Sequence, residues 1–185
     1  MLVTNVGYNH YHDADFFISR PNGSGDYLML LIKTPAIFTI NGVEHRADAN
    51  SAVLYNKGTP QFYKADGAQF GNDWFHFLPD NEEDERFITA LDIPFDKVLE
   101  LDSVAELSVF VNMMCYESYS ENLFKSDSVD LLAKLFFIKL SEKMHMSVSE
   151  DFGTWHKKLS MLRTKIYNMP SNDWNIDGIA HELTA

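Results

Sequence analysis

The sequence predicts an α+β protein in which a small antiparallel β-barrel or jelly roll is followed by helices. Three observations predict it. From Asp15 to Leu78 short apolar or aromatic runs are broken by turn residues, the pattern of an antiparallel β structure. Beyond the acidic stretch Asp80 to Glu85 the apolar spacing becomes helical. The composition, 185 residues with 45% apolar, 14% aromatic and 23% charged, is that of one ordinary globular domain, or of one domain plus a fragment of another.

The predicted strands are Phe16 to Ser19, Tyr27 to Lys33, Ile37 to Ile40, Val43 to Arg46, Ala52 to Tyr55, Gln61 to Lys64 and Asp73 to Phe77. Asn41-Gly42 is the strongest hairpin signal, because a two-residue type I′ turn needs positive φ at both positions and these residues tolerate it. Asp48-Ala49-Asn50 and Lys57-Gly58-Thr59-Pro60 supply further turns at the spacing of a sandwich or barrel. Asp80 to Glu85 reads as a solvated loop.

Ser103-x-x-Glu106 has the form of a capping box, opening a helix with Val104, Leu107, Phe110, Val111, Met114 and Cys115 on its apolar face. A second helix is expected from about Ser126 to Met146. Its apolar residues, from Val129 to Met144, lie almost all round the axis, so more than one side needs cover. A third helix is expected from about Trp155 to Asn168, stopped by Pro170, and a fourth after Asn175 as N-cap.

Fifteen Lys and Arg against 27 Asp and Glu give a net charge of −12. Residues 1 to 153 carry 11 basic and 24 acidic side chains, and residues 154 to 185 carry 4 and 3. The acidic balance of the first stretch repels phosphate and argues against nucleic-acid binding there, whereas the last stretch escapes that argument. No apolar run approaches the ~20 residues of a spanning helix. The start of the chain lacks the apolar core of a signal peptide, and one cysteine, Cys115, cannot form an internal disulfide; a cytoplasmic location is the expectation.

Specific segments carry a resemblance. Asp15-Phe16-Phe17-Ile18-x-Arg20-Pro21-x-Gly23 with Tyr27-x-Leu-x-Leu31, then Trp74-Phe75-His76-Phe77, is similar to the opening and closing strands of the sensor domain in AraC-type transcription regulators. Leu162-Arg163-x-x-Ile166-Tyr167-x-x-Pro170-x-x-x-Trp174-Asn175-Ile176-x-x-Ile179-Ala180-x-x-Leu183 resembles the start of that family's paired helix-turn-helix module. The resemblance implies a cupin-like, ligand-sensing barrel with an N-terminal arm over residues 1–101. A helical dimerisation region over 102–153 and the beginning of a DNA-binding domain over 154–185 follow. The run from Asn175 stops within an amphipathic helix, so a chain cut inside that domain is expected, with DNA bound only by the full-length protein.

By the same resemblance Arg20, Tyr63, Asn72 and Trp74 align with pocket residues. Their chemistry suits a small neutral sugar: the guanidinium supplies fixed donors to hydroxyls and the indole packs on the C–H face of a ring. The competing reading makes Tyr63 and Trp74 core residues and pairs Arg20 with an acid such as Asp26. Part of Tyr8 to Asp13 is expected to act as a lid. The family's habit of pairing through antiparallel helices implies a homodimer, with Leu131, Leu135 and Ile138 as the contact stripe.

Two other classes compete. A metal-dependent cupin enzyme would use His10, His12, Glu44, His45 and His76 as ligands, but the pair His10-x-His12 lies in the predicted arm and Glu44 follows far downstream. A sugar-binding or scaffolding module would carry no regulatory tail, and only the segment from Leu162 argues against it. Cys115 sits among apolar residues and reads as a packed thiol. The expectation is a regulator, not an enzyme, with no cofactor or metal and no membrane contact.

Overall fold

A computed structural model describes residues 1–147 and, beyond them, Lys158, Leu159, Leu162, Asn175 and Gly178. Most of the expected helix from Trp155 to Asn168, and most of the segment resembling a helix-turn-helix, lie outside the described residues. The chain divides into two compact units, Met1–Lys143 and Met144–Ala185. In the second, the Asn175 side-chain oxygen accepts the Gly178 N–H at 2.8 Å, and the rest of the helix expected after Asn175 lies outside the described residues.

The first unit is mixed α+β. Its strands are β1 (Leu2–Asp13), β2 (Phe17–Arg20), β3 (Tyr27–Ile32), β4 (Ala36–Ile40), β5 (Val43–Ala47), β6 (Ser51–Tyr55), β7 (Gln61–Ala65), β8 (Gln69–Leu78) and β9 (Val98–Glu100). Three helices join them: α1 (Glu82–Ala90), α2 (Ala105–Ser118) and α3 (Lys125–Ser147). One sheet runs β1-β8-β3-β6-β9 and the other β2-β7-β4-β5, and every pairing is antiparallel. The two sheets are not hydrogen-bonded into one closed ring. The predicted barrel is in this respect a two-sheet sandwich.

Period-2 alternation decides what lies between the sheets. Phe70 and Trp74 of β8 face inward, with Leu28, Leu30 and Ile32 of β3, Val53 and Tyr55 of β6, Phe38 of β4 and Tyr63 of β7. Residues of opposite parity on β8 meet the helices. Phe75 packs against Phe136 and Phe137 at ring distances of 5.0 and 5.6 Å, and Phe77 against Phe137 at 5.0 Å. Each such side chain contributes on the order of 1.5 to 3 kcal/mol when fully buried. Asn41 and Gly42 have φ of 52° and 78°, the type I′ geometry, and Ile40 pairs with Val43 across the turn.

The N-terminal segment differs from expectation. Residues 8–13 belong to β1, an edge strand paired along β8 from Leu2–Leu78 to Asp13–Gln69, not to a loose arm. Register shifts between Val3 and Asn5 and between Gly7 and His10 interrupt its alternation, and Asn9 lies at φ 56°. A buried carboxylate pins the second shift. Asp73 accepts the Asn9 N–H at 2.6 Å, pairs with Lys33 Nζ at 2.6 Å, and accepts the Ser108 hydroxyl of α2 at 2.5 Å.

The acidic run is no solvated loop. Asn81 caps α1 by accepting the Asp84 N–H at 3.0 Å, and Glu82 to Glu85 form the first turn, where negative charge complements the helix dipole. Asp84 turns inward, 1% exposed, to meet Lys134 at 3.0 Å, the Asp80 N–H at 3.0 Å and the Met1 amine. The capping box at Ser103 also fails to form. α2 starts after Val104, whose N–H goes to Asn50 Oδ1 at 3.3 Å, while Ser103 Oγ accepts only the Ala105 N–H. Glu106 is drawn away to Lys143 at 3.4 Å.

Candidate functional site

A tight turn after β2 sets Arg20. The Gly23 N–H donates to the Arg20 carbonyl at 3.1 Å, and Gly23 has φ 71° with room for no Cβ, which would lie 2.5 Å from the Lys57 carbonyl oxygen. Arg20 pairs in register with Gln61 of β7, and its Nη1 donates to Gln61 Oε1 at 3.0 Å. Gln61 is fully buried and passes its Nε2 donor to Ser24 Oγ at 3.0 Å, and Ser24 donates to the Asp26 carbonyl at 3.0 Å.

The Asp26 carboxylate then meets His76 Nδ1 at 2.7 Å and accepts from Thr4 Oγ1 at 3.0 Å. Burial alone would raise the Asp26 carboxyl; the bonds from His76, Ser24 and Thr4 outweigh it and hold it below the ordinary carboxylate range. His76 in turn lies edge-on to Trp74, 5.6 Å away, and the Trp74 indole N–H donates to His10 Nδ1 at 3.3 Å. That bond requires a neutral His10 ring with Nδ1 unprotonated. Arg20 and Trp74, on opposite sheets, are thus joined through Gln61, Ser24, Asp26 and His76.

Tyr63 stacks among Phe38, Phe70 and Tyr55 at 5.3, 5.6 and 6.4 Å. Burial pushes its phenol up to about 12, with the Arg20 charge pulling the other way. Burial also raises the Tyr55 hydroxyl. Among the described residues, two inward polar atoms have no protein partner: Tyr55 Oη, on a side chain with no exposed surface, and Asn72 Oδ1, on one 4% exposed. An unpaired buried polar atom costs about 1 to 3 kcal/mol.

Asn72 and Trp74 lie on β8, Asn72 beside Ile32 and His10, whereas Arg20 and Tyr63 lie on neighbouring strands of the facing sheet. Arg20 pairs with Gln61 where the competing reading put Asp26. Sequence reasoning missed Gln61, Ser24, Tyr55 and the Asp26–His76 pair. For Gln61 a signal existed: it shares strand parity with Tyr63 and Ala65, so a polar side chain at an inward position was legible.

The proposed metal ligands are scattered. His10 and His12 lie on one strand with ring centroids 6.2 Å apart, but His12 stacks on Phe16 at 4.0 Å and His76 is held by Asp26. Glu44 and His45 are exposed on β5 in the other sheet. Among the described residues no three His, Cys, Asp or Glu side chains gather where they could hold a metal ion. Cys115 lies 3.8 Å from the Val6 carbonyl, and burial pushes its thiol up. Among the described residues no helix is long and apolar enough to cross a membrane.

On α3, Val129, Ala133, Phe136, Phe137 and Leu140 are buried, whereas Leu131, Leu135 and Ile138 are 66%, 41% and 36% exposed. Val109, Met113 and Tyr116 of α2 are exposed as well, and a groove lined by Met113, Tyr116, Leu131 and Leu132 runs between the two helices.

No family model matches the sequence, and no curated protein matches it. Solved structures similar to this chain include ToxT from Vibrio cholerae O395 bound to (E)-4-(8-methylnaphthalen-1-yl)but-3-enoic acid, at 17% identity, covering 96% of this chain and 70% of that one, with a TM-score of 0.48. A further ToxT structure from the same strain gives 16% identity, 96% and 68% coverage, and a TM-score of 0.45. Wild-type ToxT from Vibrio cholerae strain SCE256 with bound unsaturated fatty acid gives 12% identity, 100% and 71% coverage, and 0.39.

Proposed function

We propose that this chain is the effector-binding and dimerisation part of a cytoplasmic AraC-type transcription regulator, and that a small carbohydrate occupies the space between its two sheets. The observation that carries the reading is the ladder of polar groups from Arg20 to His76 among inward aromatic side chains, together with two buried polar atoms, Tyr55 Oη and Asn72 Oδ1, that have no protein partner among the described residues. A core built for stability alone would fill such positions with apolar side chains. Trp74 offers an indole face and Arg20, Gln61 and Asn72 offer donors and acceptors, the combination a polyhydroxylated ring needs.

A second copy of the chain would cover Leu131, Leu135 and Ile138, and residues 154–185 would belong to the DNA-reading part. A thermal-shift screen of mono- and disaccharides, followed by calorimetric titration of Arg20→Ala and Trp74→Ala, tests the site. Each variant is expected to weaken a hit about five-fold to a thousand-fold. A hit that binds both variants as tightly as the parent removes the site assignment.

A further inference from the structure

We propose that Asn41 is a site of spontaneous covalent modification: its side-chain amide converts to a mixture of aspartate and isoaspartate, and the isoaspartate loosens the β4–β5 hairpin. The only co-reactant is water. The backbone nitrogen of Gly42 gives up its proton to hydroxide in the solvent and forms a bond to Asn41 Cγ; the Cγ–Nδ2 bond breaks, and ammonia leaves with a proton taken from water. Water then opens the five-membered imide at one of its two carbonyls. Opening at Cγ leaves aspartate, whereas opening at the main-chain carbonyl leaves isoaspartate, whose backbone runs through Cβ.

A glycine after the asparagine leaves the attacking nitrogen unshielded, and the chain has two such pairs, Asn22-Gly23 and Asn41-Gly42. The fold treats them differently. The Gly23 N–H donates to the Arg20 carbonyl at 3.1 Å, and the Lys57 carbonyl oxygen lies only 2.5 Å from where a Gly23 Cβ would stand. Closing a ring there breaks that bond in a crowded turn. At the other pair both residues are exposed, nothing lies within 4 Å of the Gly42 Cβ position, and among the described residues no hydrogen bond holds the Gly42 N–H or the Asn41 side chain.

Ring closure rotates the peptide unit between the two residues, so the turn must first leave its paired positive φ of 52° and 78°. Little resists that opening. β5 is an edge strand paired with β4 alone, and Val43 to Arg46 are exposed, so parting the tip of the hairpin uncovers little apolar surface. Isoaspartate then adds a carbon to the main chain inside a two-residue turn, and the type I′ geometry that sets Ile40 opposite Val43 no longer closes. The far end of β5 stays anchored, where Arg46 pairs with Asp48 and Asp66, so the loosening is confined to the turn end.

The full chain, folded or in urea, is aged in warm, mildly alkaline buffer, and its peptides are followed by mass spectrometry with fragmentation that separates aspartate from isoaspartate. In the folded protein Asn41 is expected to convert at least about ten-fold faster than Asn22, and in urea the two rates should agree within about two-fold, because only the fold distinguishes the pairs. Asn41→Asp, freshly made, supplies the charge without the extra carbon, and Asp-Gly still suits the turn. Amide exchange over residues 43–45 should rise in the aged parent and not in fresh Asn41→Asp. Absence of conversion at Asn41 in the folded protein, or conversion of Asn22 at an equal or greater rate, overturns the site. Conversion at Asn41 with unchanged exchange over 43–45, or an equal rise in fresh Asn41→Asp, overturns the loosening by isoaspartate.

Discussion

The indole of Trp74 lies so close over Gly7, its register partner on β1, that a Cβ at position 7 would come within 2.4 Å of the ring. The reverse arrangement occurs further along the same pair of strands, where the Tyr11 ring covers Gly71 and a Cβ would come within 2.5 Å. Each strand thus supplies a bare backbone position under an aromatic ring of the other, which is how an edge strand with interrupted alternation is held in register.

Gly7→Ala should force the Trp74 ring aside. The expected loss is about 1 to 3 kcal/mol in urea denaturation, the usual range for overpacking. Trp74 emission, recorded with Trp155 and Trp174 replaced by Phe, should shift as the ring moves off Gly7 and away from His10. An unshifted spectrum at unchanged stability contradicts the contact.

Asp84 predicts a pH dependence. Burial would raise its carboxyl, but the Met1 amine, the Asp80 N–H and Lys134 lower it from 3.8 to about 2. A group depressed in the folded state stabilises above its unfolded value and ceases to do so as the pH falls through the folded one. Asp84→Asn should therefore cost about 2 kcal/mol at pH 7, with the gap closing between about pH 4 and pH 2. Urea midpoints of both proteins across that range supply the check.

At Asp73, replacement by Asn leaves Lys33 facing a neutral amide in a site where the native carboxylate is fully buried. A cost of about 3 to 5 kcal/mol is expected, against about 1 kcal/mol for Ser108→Ala, which removes one hydrogen bond. Combined in a double-mutant cycle, the two should prove non-additive, because they share a bond. Strict additivity would dissociate Ser108 from the clamp.

Leu135→Lys together with Ile138→Glu should leave thermal stability within about 0.5 kcal/mol of the parent, since both positions are substantially exposed in the single chain. Light scattering is expected to show a dimer for the parent and a monomer for the variant. A parent that stays monomeric at tens of micromolar removes the helix pairing from the proposal.

Strands with clean alternation and strong punctuation were legible from sequence. The paired positive φ of Asn41 and Gly42 and the inward parity of Trp74 are local properties. β1 was hidden because its register shifts break period 2, and β9, Val98–Glu100, because three residues carry no pattern. α1 was hidden because four consecutive acids resemble a solvated loop until Asn81 caps them and Asp84 finds Lys134. In the site, Arg20 and Trp74 could be singled out, whereas the Asp26–His76 pair spans 50 positions and exists only once β8 lies beside β3.

β1 is made before β2 to β7 and pairs with β8, which follows those six strands. Until then Val6 has no sheet to enter, and both rims of the strand present open N–H and C=O groups. Closure of this pair is the longest loop the sheets demand, so it is expected among the last steps of folding. A nascent chain released before β8 is complete would carry a ready donor strand, and at high concentration β1 would dock as well onto the β8 of a neighbouring molecule as onto its own, giving an exchanged pair.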